Sequence, residues 1–230
     1  MKNVLTALML AQGVLTFAQT PLKEKKTIIA SETELVYQTD ENRTKNGSYY
    51  VSNTKNNNVW LRGNYSNNKR IGNWYFFDGQ NNVMFRYNFD NKNLLYLNPL
   101  FYKNSKIVID SKNEEVKLKA TVPIPLFPMD LLLNLASENS EVIYALGKVS
   151  DADRLNFVST INTNGTAKYS LEDVNGKSVL KDIDLKIKDF PLDWLPANFN
   201  NENLNSKILI AILINKKEEA SGPRRNRWNF

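Results

Sequence analysis

The sequence predicts a mainly β, α+β protein: stacked antiparallel β-hairpin repeats, then a small α+β domain with one main helix on an antiparallel sheet. Three observations carry this expectation. Aromatic and aliphatic runs recur with a period of 24 to 25 residues in the first half of the chain. Composition shifts where Pro123, Pro125 and Pro128 fall within six residues. The second half opens on an apolar run, the turn Asn162-Thr163-Asn164-Gly165 and a returning run, the pattern of a β-hairpin. The expected organisation is a signal peptide over 1–18, a repeat region over 19–120, a proline-containing connector over 121–150, an α+β domain over 151–216 and a basic tail over 217–230.

The first segment is an address. Met1 and Lys2 precede an apolar run at 4–18 that is interrupted by Thr6, Gln12, Gly13 and Thr16. A short basic start and Thr16-Phe17-Ala18 before Gln19 fit a cleavable secretory signal. A membrane-spanning helix needs roughly 20 apolar residues and this run is shorter and interrupted, which favours a cleaved signal, with an uncleaved anchor as the minor alternative. The apolar stretches 131–135 and 208–214 are too short to span, and no stable membrane span is expected after signal removal. The expected location is periplasmic or secreted.

The chain contains no histidine and no cysteine. That removes Ser-His-Asp and Cys-His nucleophile systems, zinc sites built on imidazole or thiolate, disulfides, thiol redox chemistry and a lipidated N-terminal cysteine. The net charge of +6 is spread along the chain, with one cluster at Lys216, Lys217, Arg224, Arg225 and Arg227. A solvated tail is the expected reading, and nucleic-acid binding is not expected of an exported chain.

Within the repeats, Gly47-Ser48-Tyr49-Tyr50-Val51 aligns with Gly72-Asn73-Trp74-Tyr75-Phe76, and the run 59–65 aligns with 83–89. Each unit has two apolar-aromatic runs separated by Asn, Gly, Asp or Lys, which reads as strand, turn, strand. A fixed period marks units that bury an apolar face only by stacking. The segment 63–78, with Gly63-Asn64-Tyr65, a polar turn and Lys69-Arg70-Ile71-Gly72-Asn73-Trp74, resembles MORN-type repeats, and more closely their bacterial antitoxin-type variant. The resemblance covers roughly 34–98 and implies stacked hairpins. A further strand pair is expected at 106–109 and 116–120. Trp60, Tyr65, Trp74 and Tyr75 are candidates for a platform that holds sugar rings or peptides. Filling the stacked core is the competing reading.

After the proline run an extended connector is expected, then a short helix at 129–136. Strands follow at 155–161 and 166–171. Val179, Leu180, Ile183, Ile187 and Phe190 share one helical face, which predicts the main helix, and 207–214 closes the unit as a strand. The hairpin at 157–169, the helix, and then Phe190-Pro191-Leu192-Asp193-Trp194-Leu195-Pro196-Ala197 resemble the C-terminal domain of TonB-type energy transducers. The resemblance covers about 151–215. It implies contact with an envelope protein, an outer-membrane transporter in that family, partly through strands added at a sheet edge. Trp194 is the candidate contact residue there, with a core position as the alternative. A transducer needs an anchor and a long spacer, and this proline run is short, so a binding or scaffold role is favoured.

Other chemistry is sparse. Asp151-Ala152-Asp153 and Asp182-Ile183-Asp184 lack the remaining spacing of a calcium loop, and Glu114-Glu115 and Glu218-Glu219 are merely adjacent. No catalytic, cofactor-binding or metal-binding residues and no cofactor are expected. A hydrolase working by two carboxylates would need them facing each other across a cleft. The expectation is an exported, non-enzymatic interaction or scaffold protein of the bacterial cell envelope that recognises another envelope protein. A glycan-binding module using the repeat aromatics is the alternative, and an energy-transducer component is a further one if the N-terminal segment is an anchor.

Overall fold

Seven consecutive strands form one antiparallel meander, each paired with the next: β1 (Lys23–Ala30), β2 (Thr33–Thr39), β3 (Lys45–Asn53), β4 (Val59–Ser66), β5 (Lys69–Phe77), β6 (Val83–Asn88) and β7 (Asn93–Leu97). The computed structural model describes residues 21–149 and 154–213. The expected signal peptide, the basic tail and the Asp151-Ala152-Asp153 pair lie outside the described residues.

Short polar side chains close the turns. Asp40 Oδ1 accepts the N–H groups of Asn42 and Thr44, and Asp78 Oδ1 accepts those of Gln80 and Asn82. Asn67 and Asn68 both adopt positive φ in the two-residue β4–β5 hairpin. Asparagines also tie each hairpin end to the next. Asn68 Oδ1 accepts the Lys45 N–H at 2.7 Å, Asn46 Oδ1 accepts the Asn67 N–H at 2.8 Å, and Asn81 Oδ1 accepts the Val59 N–H at 3.0 Å. These partners lie 21 to 23 residues apart, close to one sequence repeat. The period therefore has a lateral hydrogen-bond ladder behind it as well as a packing reason.

The inner face of the meander is aromatic. Tyr49 lies 4.9 Å from Tyr65 and 5.4 Å from Trp74 (ring centroids), and Phe76 stacks on Phe85 at 4.0 Å. Trp74 fits because Gly63 has no side chain: a Cβ there would sit 2.2 Å from the indole.

Beyond the meander the chain continues as β8 (Ser105–Ile109), α1 (Glu114–Lys119), β9 (Ile124–Pro125), α2 (Met129–Glu138), α3 (Ser140–Gly147), β10 (Arg154–Ile161), β11 (Ala167–Asp173), β12 (Ser178–Ile183), β13 (Trp194–Leu195), β14 (Ala197–Phe199), β15 (Glu202–Leu204) and β16 (Ser206–Leu213). A five-stranded antiparallel sheet has the order β12-β11-β10-β16-β8. The fold is thus mainly β with few helices, as the sequence predicts.

Its helices fall elsewhere than expected. The 179–190 stretch is not a helix: it is strand β12 followed by a loop. Asp173 Oδ1 accepts the N–H groups of Asn175 and Lys177 around the positive-φ Gly176, which turns β11 directly into β12, and Asp182 at φ 52° bulges the strand where a helix would have to continue. The 116–120 stretch is not a strand but part of α1. Asn113 caps that helix through the Glu115 N–H, Glu114–Lys117 and Glu115–Lys119 pairs span it, and Leu118 points into solvent. The helix expected at 129–136 is α2, and α3 follows it, capped by Asn139.

One core joins the two sheets. Leu131, Leu132, Leu133 and Leu135 of α2, Val142 and Leu146 of α3, and Phe127 of the proline segment pack with both inner sheet faces. The proline segment is extended, as expected, and buried: β9 pairs with β13, and Phe127 meets Trp194 edge-on at 5.3 Å.

Candidate binding surface

The inner face of the meander is closed by the rest of the chain. The loop between β12 and β13 docks across its end. Asp189 accepts hydrogen bonds through its backbone carbonyl from Tyr49 Oη at 2.9 Å and Lys45 Nζ at 3.0 Å, and through its carboxylate from Tyr37 Oη at 3.2 Å. Arg70 pairs with Asp193 while its guanidinium lies 4.4 Å from the Phe89 ring centroid.

This closure decides the sequence candidates. Trp60, Tyr65, Trp74 and Trp194 are all buried, Trp74 to 1% and Trp194 to 3% exposure. They offer no ring face to a ligand and belong to the core. Trp194 donates its Nε1–H to Tyr169 Oη at 3.2 Å, and its backbone N–H donates to the Gly165 carbonyl, which pins the Trp-Leu-Pro-Ala segment to the 162–165 turn. Of the five candidates, Tyr75 alone stands on the outer sheet face.

On that outer face the backbone register brings together residues that sequence reasoning missed. Lys26 pairs with Val36, Val36 with Tyr50, Tyr50 with Arg62, Arg62 with Tyr75, Tyr75 with Arg86, and Arg86 with Tyr96. A single transverse row therefore crosses all seven strands and, from β3 to β7, alternates tyrosine with arginine. Arg62 lies 5.1 Å from the Tyr75 ring centroid and 5.7 Å from that of Phe77, and Arg86 lies 5.7 Å from Tyr96. Neither arginine forms an ion pair among the described residues. Arg62 and Tyr96 are exposed, while Tyr50, Tyr75 and Arg86 are half-buried. A polar flank runs beside the row: Ser48 opposite Asn64, and Asn73, Asn88 and Asn93 in register.

The four edges of the two large sheets differ in charge. Strand β1 carries Lys23, Glu24, Lys25 and Lys26, β12 carries Lys181 and Asp182, and β8 carries Lys106. Strand β7, Asn-Leu-Leu-Tyr-Leu, carries none, and Leu94, Leu95 and Tyr96 are exposed on it beside Leu100. Edge strands are normally guarded by charge or by a covering element.

A cleft of about 180 Å³ opens where the β5–β6 loop meets α2, lined by Asp78, Met84, Phe101, Met129, Asp130 and Ile210 among others. Asp78 and Asp130 both line it. Burial pushes the Asp130 carboxyl above the ordinary carboxylate value, with the neighbouring Asp78 charge adding to it and the Gly79 N–H opposing it. The Asp78 oxygens are taken up by Gln80 N, Asn82 N and Asn82 Nδ2, so this carboxylate builds its own loop. Among the described residues no group of three or more Asp or Glu is placed to hold a metal ion, and no helix is long and apolar enough to cross a membrane. No protein-family model, curated protein or solved structure matches the chain.

Proposed function

We propose that this chain is a non-enzymatic interaction module of the bacterial cell envelope that recognises another envelope protein by strand addition at β7. The observation that carries this reading is the edge comparison: three of the four edges of the two large sheets carry charged residues, and β7 presents unpaired backbone beside Leu94, Leu95 and Tyr96 with no charge. An incoming extended segment would gain main-chain hydrogen bonds there and bury these side chains. Its own residues would be uncharged and apolar, matching the strand it joins. An address outside the cytoplasm belongs to the same proposal and rests on the 1–18 segment.

The test is a photo-crosslinking residue at position 94, used in envelope extracts with and without the substitution Leu95→Lys, whose charge guards the edge. Transfer of the label to one defined envelope protein, lost in Leu95→Lys at unchanged melting temperature, is the expected result. Label transfer that ignores Leu95→Lys, or sedimentation showing only pairing of β7 with a second copy, overturns the proposal.

A further inference from the structure

The outer face of the meander carries charge that the fold does not use. Strands β3 to β7 contain Lys45, Arg62, Lys69, Arg70 and Arg86 and no aspartate or glutamate. Lys45 and Arg70 are spent on Asp189 and Asp193 at the inner end. Arg62 and Arg86 remain on the outer row, each held against a tyrosine ring. A guanidinium lying over an aromatic face keeps its N–H fork free at the edge, where it matches a carboxylate in bidentate fashion.

The spacing of the row selects among polyanions. Neighbouring strands lie about 4.8 Å apart, so like residues two strands apart recur at roughly 10 Å. Tyr50, Tyr75 and Tyr96 repeat at that interval, and Arg62 and Arg86 repeat at it between them. Same-side residues of an extended peptide recur at only about 6.7 Å and fall out of step with the arginines. A polysaccharide carrying one carboxylate per disaccharide keeps step, because two linked pyranose rings bridge one interval. Each tyrosine then meets the apolar face of a sugar ring and each arginine a carboxylate. The flank of Ser48, Asn64, Asn73 and Asn88 supplies donors and acceptors to ring hydroxyls. Asn88 Nδ2 already donates to Asn73 Oδ1 at 2.7 Å, which holds these two amides together on the flank.

We infer that the Tyr50–Arg62–Tyr75–Arg86–Tyr96 row is a binding site for a linear acidic polysaccharide with alternate charged sugars, laid across the strands of the meander. It shares Tyr96 with the β7 edge proposed above, but its two arginines stand on β4 and β6, away from that edge, so the two proposals are tested separately.

The probe is hyaluronan oligosaccharide, which has one carboxylate per disaccharide, titrated into the full chain by calorimetry, with neutral dextran and polyglutamate as comparisons. Saturable hyaluronan binding that weakens with salt is expected, with dextran and polyglutamate bound at least tenfold more weakly. Each arginine removed costs roughly tenfold, so Arg62→Gln with Arg86→Gln should lose about a hundredfold at unchanged melting temperature. Leu95→Lys, which blocks strand addition at the edge, should still bind hyaluronan and at least as tightly as the wild type, which distinguishes this site from the β7 docking. Absence of hyaluronan binding, equal binding of polyglutamate, or a double variant that binds normally overturns the inference.

Discussion

Replacing Gly63 by alanine puts a methyl group into the indole of Trp74. The new Cβ would sit 2.2 Å from Cδ2 and Cε2 and 2.5 Å from Cγ, where carbon atoms prefer about 3.5–4.0 Å. The ring must retreat by more than an ångström. It has nowhere to go: Tyr49, Tyr65 and Phe89 each lie 5.4 Å from it by ring centroid, and Trp74 is 1% exposed. Gly63 is not at positive φ, so the whole cost is steric rather than conformational. Overpacking of a tight core costs about 1–3 kcal/mol and more where the site is rigid, so about 3 kcal/mol is expected here. For a protein of this size that lowers the melting temperature by roughly 6–12 °C. Thermal and urea denaturation of Gly63→Ala, Trp74→Leu and the pair closes a double-mutant cycle. The smaller side chain should recover part of the loss, giving a coupling of about 1 kcal/mol or more. Gly63→Ala within about 0.5 kcal/mol of wild type, or purely additive variants, would refute the close approach of backbone and indole.

Three further outcomes follow from the same geometry. Because the folded-state pKa of Asp130 is raised, its native state holds the proton more tightly than the unfolded chain does, so the contribution of this group to stability is fully present in acid and is lost as pH rises through the raised value. Asp130→Asn keeps an acceptor for the Gly79 N–H, and melting curves from acid to neutral pH should lose that step. Burial raises the phenols of Tyr49 and Tyr102 and pushes Tyr169 up to about 12, so in alkali the unfolded chain ionises first, and each such tyrosine removes about 1.4 kcal/mol of stability per pH unit above its ordinary pKa. Phenolate absorbance should rise cooperatively with unfolding rather than gradually. Arg70→Met keeps the stem against Phe89 and removes a buried Nη1 that has no partner, while losing a pair whose aspartate is half-exposed, so urea denaturation should shift by less than about 1 kcal/mol, whereas Arg70→Ala should cost more.

The repeat was legible because its period is local and doubly enforced. Aromatic runs mark the strands, and asparagines such as Asn68 and Asn81 both turn the chain and hold the start of a neighbouring strand. The hairpin at 162–165 was equally plain, with Gly165 at φ 80° and the Asn162–Thr166 hydrogen bonds around it. Residues 179–190 misled because spacing on a helical face arises by chance in a bulged strand and loop, and the deciding signal was the upstream Asp173–Lys177 turn. The Tyr–Arg row was not readable by counting alternate residues. Bulges between Val51 and Ser52, Arg62 and Asn64, and Phe76 and Phe77 each shift the pairing, so strand-to-strand register exists only once the sheet is built. Burial of Tyr65 and Trp74 depends likewise on the distant 189–193 loop and the Arg70 it holds, which no short window contains.

Strand β8 has a consequence for the order of assembly. It leaves the meander directly and then pairs with the last described strand, so that 97 residues separate Ile109 from its partner Ser206. Every pairing in the meander is between successive strands and needs only the closing of a short turn, a step that takes microseconds. The β8–β16 pairing waits for the helices and for β10 to β15, and it carries the entropy of a loop about a hundred residues long. A chain emerging from its N-terminus would therefore hold a finished seven-stranded sheet while its inner aromatic face still lay open, until the helices and the 189–193 loop arrived to cover it.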